Sequence, residues 1–187
     1  AESMTAGTAR RTPQELEAAI DLLGASISVF AGSEQVSIRG ATLARNYDAT
    51  LELVREILLE PRFDSAEFEL SKQRVTNLLR QRAASPVATG SDVFQRLLYG
   101  DHVLAQNRLG SVATIADVTL ADLRDFHARA LVPGLAAYHV AGAVTREEAL
   151  APLATWSDAW AGATPSMPAP ATWDDARAGL YFVDVPN

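Results

Sequence analysis

No cysteine occurs in this 187-residue chain, which excludes disulfides and thiolate metal sites and leaves the compartment open. No apolar run comes near the ~20 residues that a membrane helix needs, so no membrane span is expected. The first residues hold no basic stretch followed by an apolar one, and no signal peptide is in view. Lysine and arginine number 16 against 23 acidic residues, a formal net charge of -7. The cations gather into no stripe, which argues against a nucleic-acid partner. Only three histidines are present, His102, His127 and His139, and no two stand at the three-to-five spacing of a local metal pair. No Gly-x-Ser-x-Gly elbow surrounds a serine, and Gly24, Gly32, Gly40 and Gly110 make no phosphate loop.

What remains is a globular composition, 48% hydrophobic and 21% charged, long enough for one large domain or a piece of a bigger one. Thr12-Pro13-Gln14-Glu15 reads as a capping box with proline at the first helical position, and Gly24 stops the helix. Ile27 and Val29 alternate with Ser26, Ser28 and Phe30; after a turn at 32–35, Val36 and Ile38 alternate with Ser37 and Arg39. This is the pattern of an antiparallel hairpin. Helices are expected over 46–60, with Leu51, Val54 and Leu58 buried, and from the Asp64 cap to 85, burying Phe68, Val75 and Leu79. Another runs from Pro86 through Val93, Phe94, Leu97 and Leu98, then one over 119–131 and one from the Thr145-Arg146-Glu147-Glu148 cap towards Trp156 or Trp160. Residues 135–144 and 180–184 read as strands, and 99–110 as irregular.

The stretch Gly7-Thr8-Ala9-Arg10-Arg11-Thr12-Pro13-Gln14-Glu15-Leu16, running on to Leu23-Gly24-Ala25-Ser26-Ile27, resembles the segment after the zinc-binding helix of M16 metallopeptidases, the pitrilysin, insulinase and mitochondrial-processing-peptidase group. The likeness continues through Arg45-Asn46-Tyr47-Asp48 to the Glu60-Pro61-Arg62-Phe63 corner. It includes Leu98-Tyr99-Gly100-Asp101-His102 and Leu109-Gly110-Ser111, and ends on Pro133-Gly134 and Val140-Ala141-Gly142. The resemblance implies an α+β fold, a two-layer sandwich of a mixed, mainly antiparallel sheet with helices on one face. Its domain would span 1–160, N-terminally truncated because the family's first strands should precede Ala1. A proline-bearing linker (Pro165, Pro168, Pro170) would follow over 161–178, then a strand over 179–187 leading into a further domain.

Active M16 members carry His-x-x-Glu-His, whose two histidines and a distant glutamate bind zinc while the first glutamate polarises the attacking water. Here Glu2 and Ser3 are the nearest occupants of the second histidine position, and Leu78 stands nearest the place of the distant carboxylate. Leucine cannot ligate. The resemblance therefore implies no catalytic, cofactor-binding or metal-binding residue in this chain. Zinc would be held by a catalytic M16 sister domain or subunit, with peptides as substrates. The chain would be a non-catalytic part of a bacterial zinc protease that helps wall a peptide-enclosing chamber. A structural or assembly domain with no proteolytic role is the alternative, discriminated by the flanking sequence. Exposed sheet edges offer a route to a homo-oligomer. Periplasm or cell envelope is suggested by the resemblance alone.

Other residues have simpler readings. His102 follows Asp101 in a loop, the best place for an exposed functional histidine, while His127 falls in a helix and His139 in a strand. Glu147-Glu148 reads as a helix start favoured by the macrodipole, and Asp174-Asp175 as solvated linker. Arg10-Arg11 reads as a solvated lead-in to the first long helix. Trp156, Trp160 and Trp173 read as core or inter-domain contacts.

Overall fold

Helix caps written in the sequence set most element boundaries in the computed structural model, which describes residues 2–166 and 178–184. A single turn, α1 (Glu2–Thr5), precedes α2 (Pro13–Leu22), whose Thr12 side chain accepts from the Glu15 N–H while Glu15 accepts from the Thr12 N–H at 2.8 Å. Gly24 ends that helix with φ +58, a conformation natural to glycine. The hairpin follows as β1 (Ser26–Ala31) and β2 (Val36–Ala41), antiparallel with Val29 opposite Ile38. Then come α3 (Tyr47–Leu59), α4 (Ser65–Ala83), α5 (Pro86–Tyr99), α6 (Val112–Asp117), α7 (Leu120–Ala130) and α8 (Arg146–Ala154). None of the helices among the described residues is long and apolar enough to cross a membrane. The class is α+β, with a two-stranded sheet among the described residues.

Two compact units are present, one within Ala1–Phe68 and Thr119–Pro165, the other within Glu69–Val118 and Ser166–Asn187. The first holds the hydrophobic cluster of Met4, Leu16, Leu51, Leu53, Ile57, Leu58 and Trp156, with Ile27, Val29, Val36 and Ile38 of the hairpin packed against it. Helix α3 runs through its middle. Beyond the expected Leu51 and Leu58, α3 buries Leu53, Glu56 and Ile57, whereas Val54 is half-buried. Trp160 closes this core, donating its indole N–H to the Leu131 carbonyl at 2.8 Å. In the second unit Leu79 is buried, but α5 buries no residue.

Residues 135–144 are not a strand. They run without ladder pairing, leaving Leu135, Tyr138 and Val140 exposed, and Tyr138 reaches the Tyr47 hydroxyl. A strand exists only when a neighbour offers its backbone groups, and among the described residues β1 and β2 pair only with each other. His139, expected in that strand, is exposed on the same unpaired stretch. Residues 178–184 likewise carry no ladder pairing, whereas 185–187, most of the expected linker, Asp174-Asp175 and Trp173 lie outside the described residues. Helix α6, at six residues, is too short to show a period of its own.

The caps carry a pH dependence. Backbone and hydroxyl donors on Thr12 and Thr145 hold the Glu15 and Glu148 carboxyls below their usual 4.5. The Thr119 hydroxyl and N–H hold Asp122 below its usual 3.8. Because folding lowers these values, the contribution is complete above the ordinary carboxylate range and disappears as pH falls through the folded values. Glu15→Gln, Asp122→Asn and Glu148→Gln combined should flatten the loss of urea resistance between about pH 5 and pH 3. An unchanged slope would show that the caps do not contribute.

Candidate functional site

The best-organised polar cluster fastens the loop after α1 to α3. Gly7 has φ +94 and is buried; a Cβ there would lie 2.8 Å from the Arg11 carbonyl, so no larger residue fits the turn. Its carbonyl accepts from the Arg62 N–H at 3.1 Å, and the Ala9 N–H donates to Glu60 at 2.7 Å. Beneath this backbone zipper, the buried Thr8 hydroxyl donates to Glu56 Oε2 at 3.0 Å and accepts from the N–H groups of Arg10 and Arg11. Arg11 Nη1 pairs with the other Glu56 oxygen. The Glu56 side chain is 2% exposed, so its two oxygens are matched where water cannot reach.

A second, more exposed network lies beside the first. Arg55 forks onto Glu52 at 2.8 and 2.9 Å and reaches Glu60 at 3.0 Å, while Arg10 holds Glu60 at 2.9 Å. Hydrogen bonds from Arg55 bring the Glu52 carboxyl below its ordinary value, and the Glu52 carboxylate raises the Arg55 guanidinium. Three guanidiniums thus face three carboxylates, with neither sign in excess. Glu56 is 2% exposed with Thr8 and Arg11 on its two oxygens, so a substrate proton has no open approach to it. The cluster fastens the loop to α3. It also corrects the expectation for Arg10-Arg11, which are a structural clasp and not a solvated lead-in.

The residues that the M16 resemblance sets nearest the zinc-ligand positions stand on α1 and α4. Glu2 is exposed and Ser3 half-buried on α1, the turn that plants Met4 in the core. Leu78 stands on α4 in the other unit, 49% exposed. These residues offer one carboxylate, one hydroxyl and a hydrocarbon, without an imidazole, and do not fit the His, His, Glu set that the M16 resemblance implies for zinc. Among the described residues no group of three or more His, Cys, Asp or Glu is arranged to hold a metal.

The histidines are dispersed. His127 on α7 donates from Nε2 to the Leu58 carbonyl at 2.7 Å, because a carbonyl can only accept. Its ring meets the edge of Phe63 at 5.3 Å, and Arg124 reaches the Phe63 carbonyl. Phe63 has φ +47, a strained conformation for an aromatic residue; α7 and the α3 terminus hold the Pro61-Arg62-Phe63 corner in it. His102 Nδ1 accepts from the Leu104 N–H at 3.1 Å, a local cap. Near Ala149, burial and the Tyr138 hydroxyl push the Tyr47 phenol well above its usual 10, and Tyr47 donates to the Ala149 carbonyl at 2.8 Å.

No family model matches the chain. An uncharacterized zinc protease of Mycobacterium leprae is 26% identical over 144 residues, 77% of this chain and 32% of the relative. A solved peptidase M16 inactive domain from Pseudomonas fluorescens superposes with a TM-score of 0.79 at 24% identity, covering 94% of this chain and 42% of that one. Pitrilysin superposes with a TM-score of 0.56 at 14% identity over 72% of this chain and 15% of its own. The chain thus spans about a third of the length of the curated relative it matches. The M16 likeness first carried by the Gly7-Thr8 stretch and the Pro61-x-Phe63 corner holds across nearly all of the fold. This chain is an M16-like domain, similar in sequence to zinc proteases and in fold to M16 peptidases.

Proposed function

We propose that this chain is a non-catalytic domain of an M16-type zinc metalloprotease, walling part of a peptide-enclosing chamber and packing on a catalytic sister domain or subunit that holds the zinc. One observation carries the reading: the fold is M16-like, and the residues nearest the ligand positions that the resemblance implies are Glu2, Ser3 and Leu78. The similar Pseudomonas fluorescens structure, described as an inactive domain, supports the same reading. In this view the domain supplies shape and binding surface, and the sister supplies the Lewis acid and the activated water.

The test compares the purified chain with the full parent protein, measuring zinc by mass spectrometry and hydrolysis of a quenched fluorescent peptide. The expected result is a metal-free, inert chain beside a zinc-bound, active parent. Stoichiometric zinc with cleavage by this chain alone overturns the reading. A parent that is also metal-free and inert overturns it in favour of a structural or assembly role.

A further inference from the structure

We infer that residues 69–118 open and reclose as one low-stability unit while the core around α3 stays folded, and that the Lys72 ammonium is the clip that closes the neck of this excursion. The device belongs to the fold of the second unit and does not rest on the reading just given.

Burial is divided unequally between the two units. The hydrophobic cluster around Ile57 belongs to the first. Across residues 69–118, every one of them described, Leu79 is the only buried residue. Helices α5 and α6 bury none, and Val87 and Val103 are 84% and 70% exposed. The ion pairs of Arg82 with Asp92 and of Arg96 with Asp101 join exposed groups, where such pairs add little. Ordering a stretch of this length costs conformational entropy at every residue. Little apolar surface is withdrawn from water to offset that cost, so this stretch is the part of the chain that opens first.

The opening has limits at both ends. Phe68 is buried just before the stretch, and the Thr119–Asp122 capping box starts α7 just after it. Both belong to the first unit. Inside these limits Lys72, on α4, donates from Nζ to the Ala116 and Val118 carbonyls, each at 2.9 Å. The bonds span 44 and 46 residues and so tie the beginning of the stretch to its end, closing a long loop at its neck. The cation also meets carbonyls that the last turn of α6 leaves without helical partners. Lys72 is the only lysine of the chain. An ammonium carries three donors on a slim stem, whereas a guanidinium offers a planar fork, and two convergent carbonyls suit the ammonium.

Hydrogen exchange of the full chain, followed by mass spectrometry in low urea, reads the opening. Amides of α5 and of α4 beyond Phe68 should exchange through one shared opening at urea concentrations where α3 is still protected. Lys72→Met keeps the stem and removes the three donors. It should speed that shared exchange about tenfold, the loss of charge-assisted hydrogen bonds, and leave α3 unchanged. Acetylating Lys72 on the folded chain removes the same charge and should have the same effect, with Lys72→Arg treated identically as the control for the α-amine. If residues 69–118 exchange only together with α3, they are no separate unit and the inference is overturned. It is also overturned if Lys72→Met and acetylation speed exchange only over residues 112–119, which makes Lys72 a local tie, or speed α3 equally, which makes it a general stabiliser. These measurements read neither zinc nor hydrolysis, so their outcome leaves the non-catalytic reading to its own test.

Discussion

Arg11→Met is expected to lower stability by about 2–3 kcal/mol, and the unfolding temperature by roughly 5–10 °C. The physical cause is the carboxylate left behind. Glu56 is nearly inaccessible to water and shares its charge between Arg11 and the Thr8 hydroxyl. Methionine keeps most of the volume of the arginine stem but removes the cation, stranding a charge in a low-dielectric site. A fully buried pair broken this way costs ~3–5 kcal/mol. The lower figure reflects the 33% exposure of Arg11, which lets solvent screen part of the loss. Arg11→Met with Glu56→Met should recover much of the deficit, because neither charge is then orphaned. Hydrogen exchange gives an independent reading: the amides of Thr8, Ala9 and Arg62, which close the zipper, should lose protection before the rest of α3 does. A single variant within about 0.5 kcal/mol of the parent protein would show that the clasp is not what fastens this loop.

The second large effect is at Ile57, which has 0% exposure and sits among Met4, Leu16 and Trp156. Ile57→Ala removes buried methylenes and leaves a cavity, at a cost of about 2–5 kcal/mol. The contrasting residue is Leu78, which the M16 resemblance sets nearest the distant zinc ligand. Because it is half exposed, Leu78→Glu should change stability by no more than about 0.5 kcal/mol. Chemical denaturation of the two variants side by side measures the difference. If Leu78→Glu proved as damaging as Ile57→Ala, Leu78 would be a packing residue, and its standing as a vacated ligand position would lose its simplest explanation.

The legible parts of this protein were the local ones. The Thr12–Glu15, Thr119–Asp122 and Thr145–Glu148 caps appear where the sequence put them, because capping joins groups three residues apart. The antiparallel hairpin was readable for the same reason. The clasp was not, since Thr8 and Arg11 lie 48 and 45 residues from Glu56. A signal did exist: Glu56 falls on the same face of α3 as Leu53, where a carboxylate needs a partner.

By itself, then, the sequence determined the helix starts, the hairpin and the M16 resemblance, with Glu2, Ser3 and Leu78 nearest the ligand positions that resemblance implies, all of which depend on residue identity or near neighbours. Only the tertiary structure decided that Arg11 closes on Glu56, that Phe63 is held at positive φ, that 135–144 runs without a ladder, and that the apolar face of α5 stays open. Each of those depends on what a distant part of the chain brings alongside, and neither periodicity nor spacing encodes that.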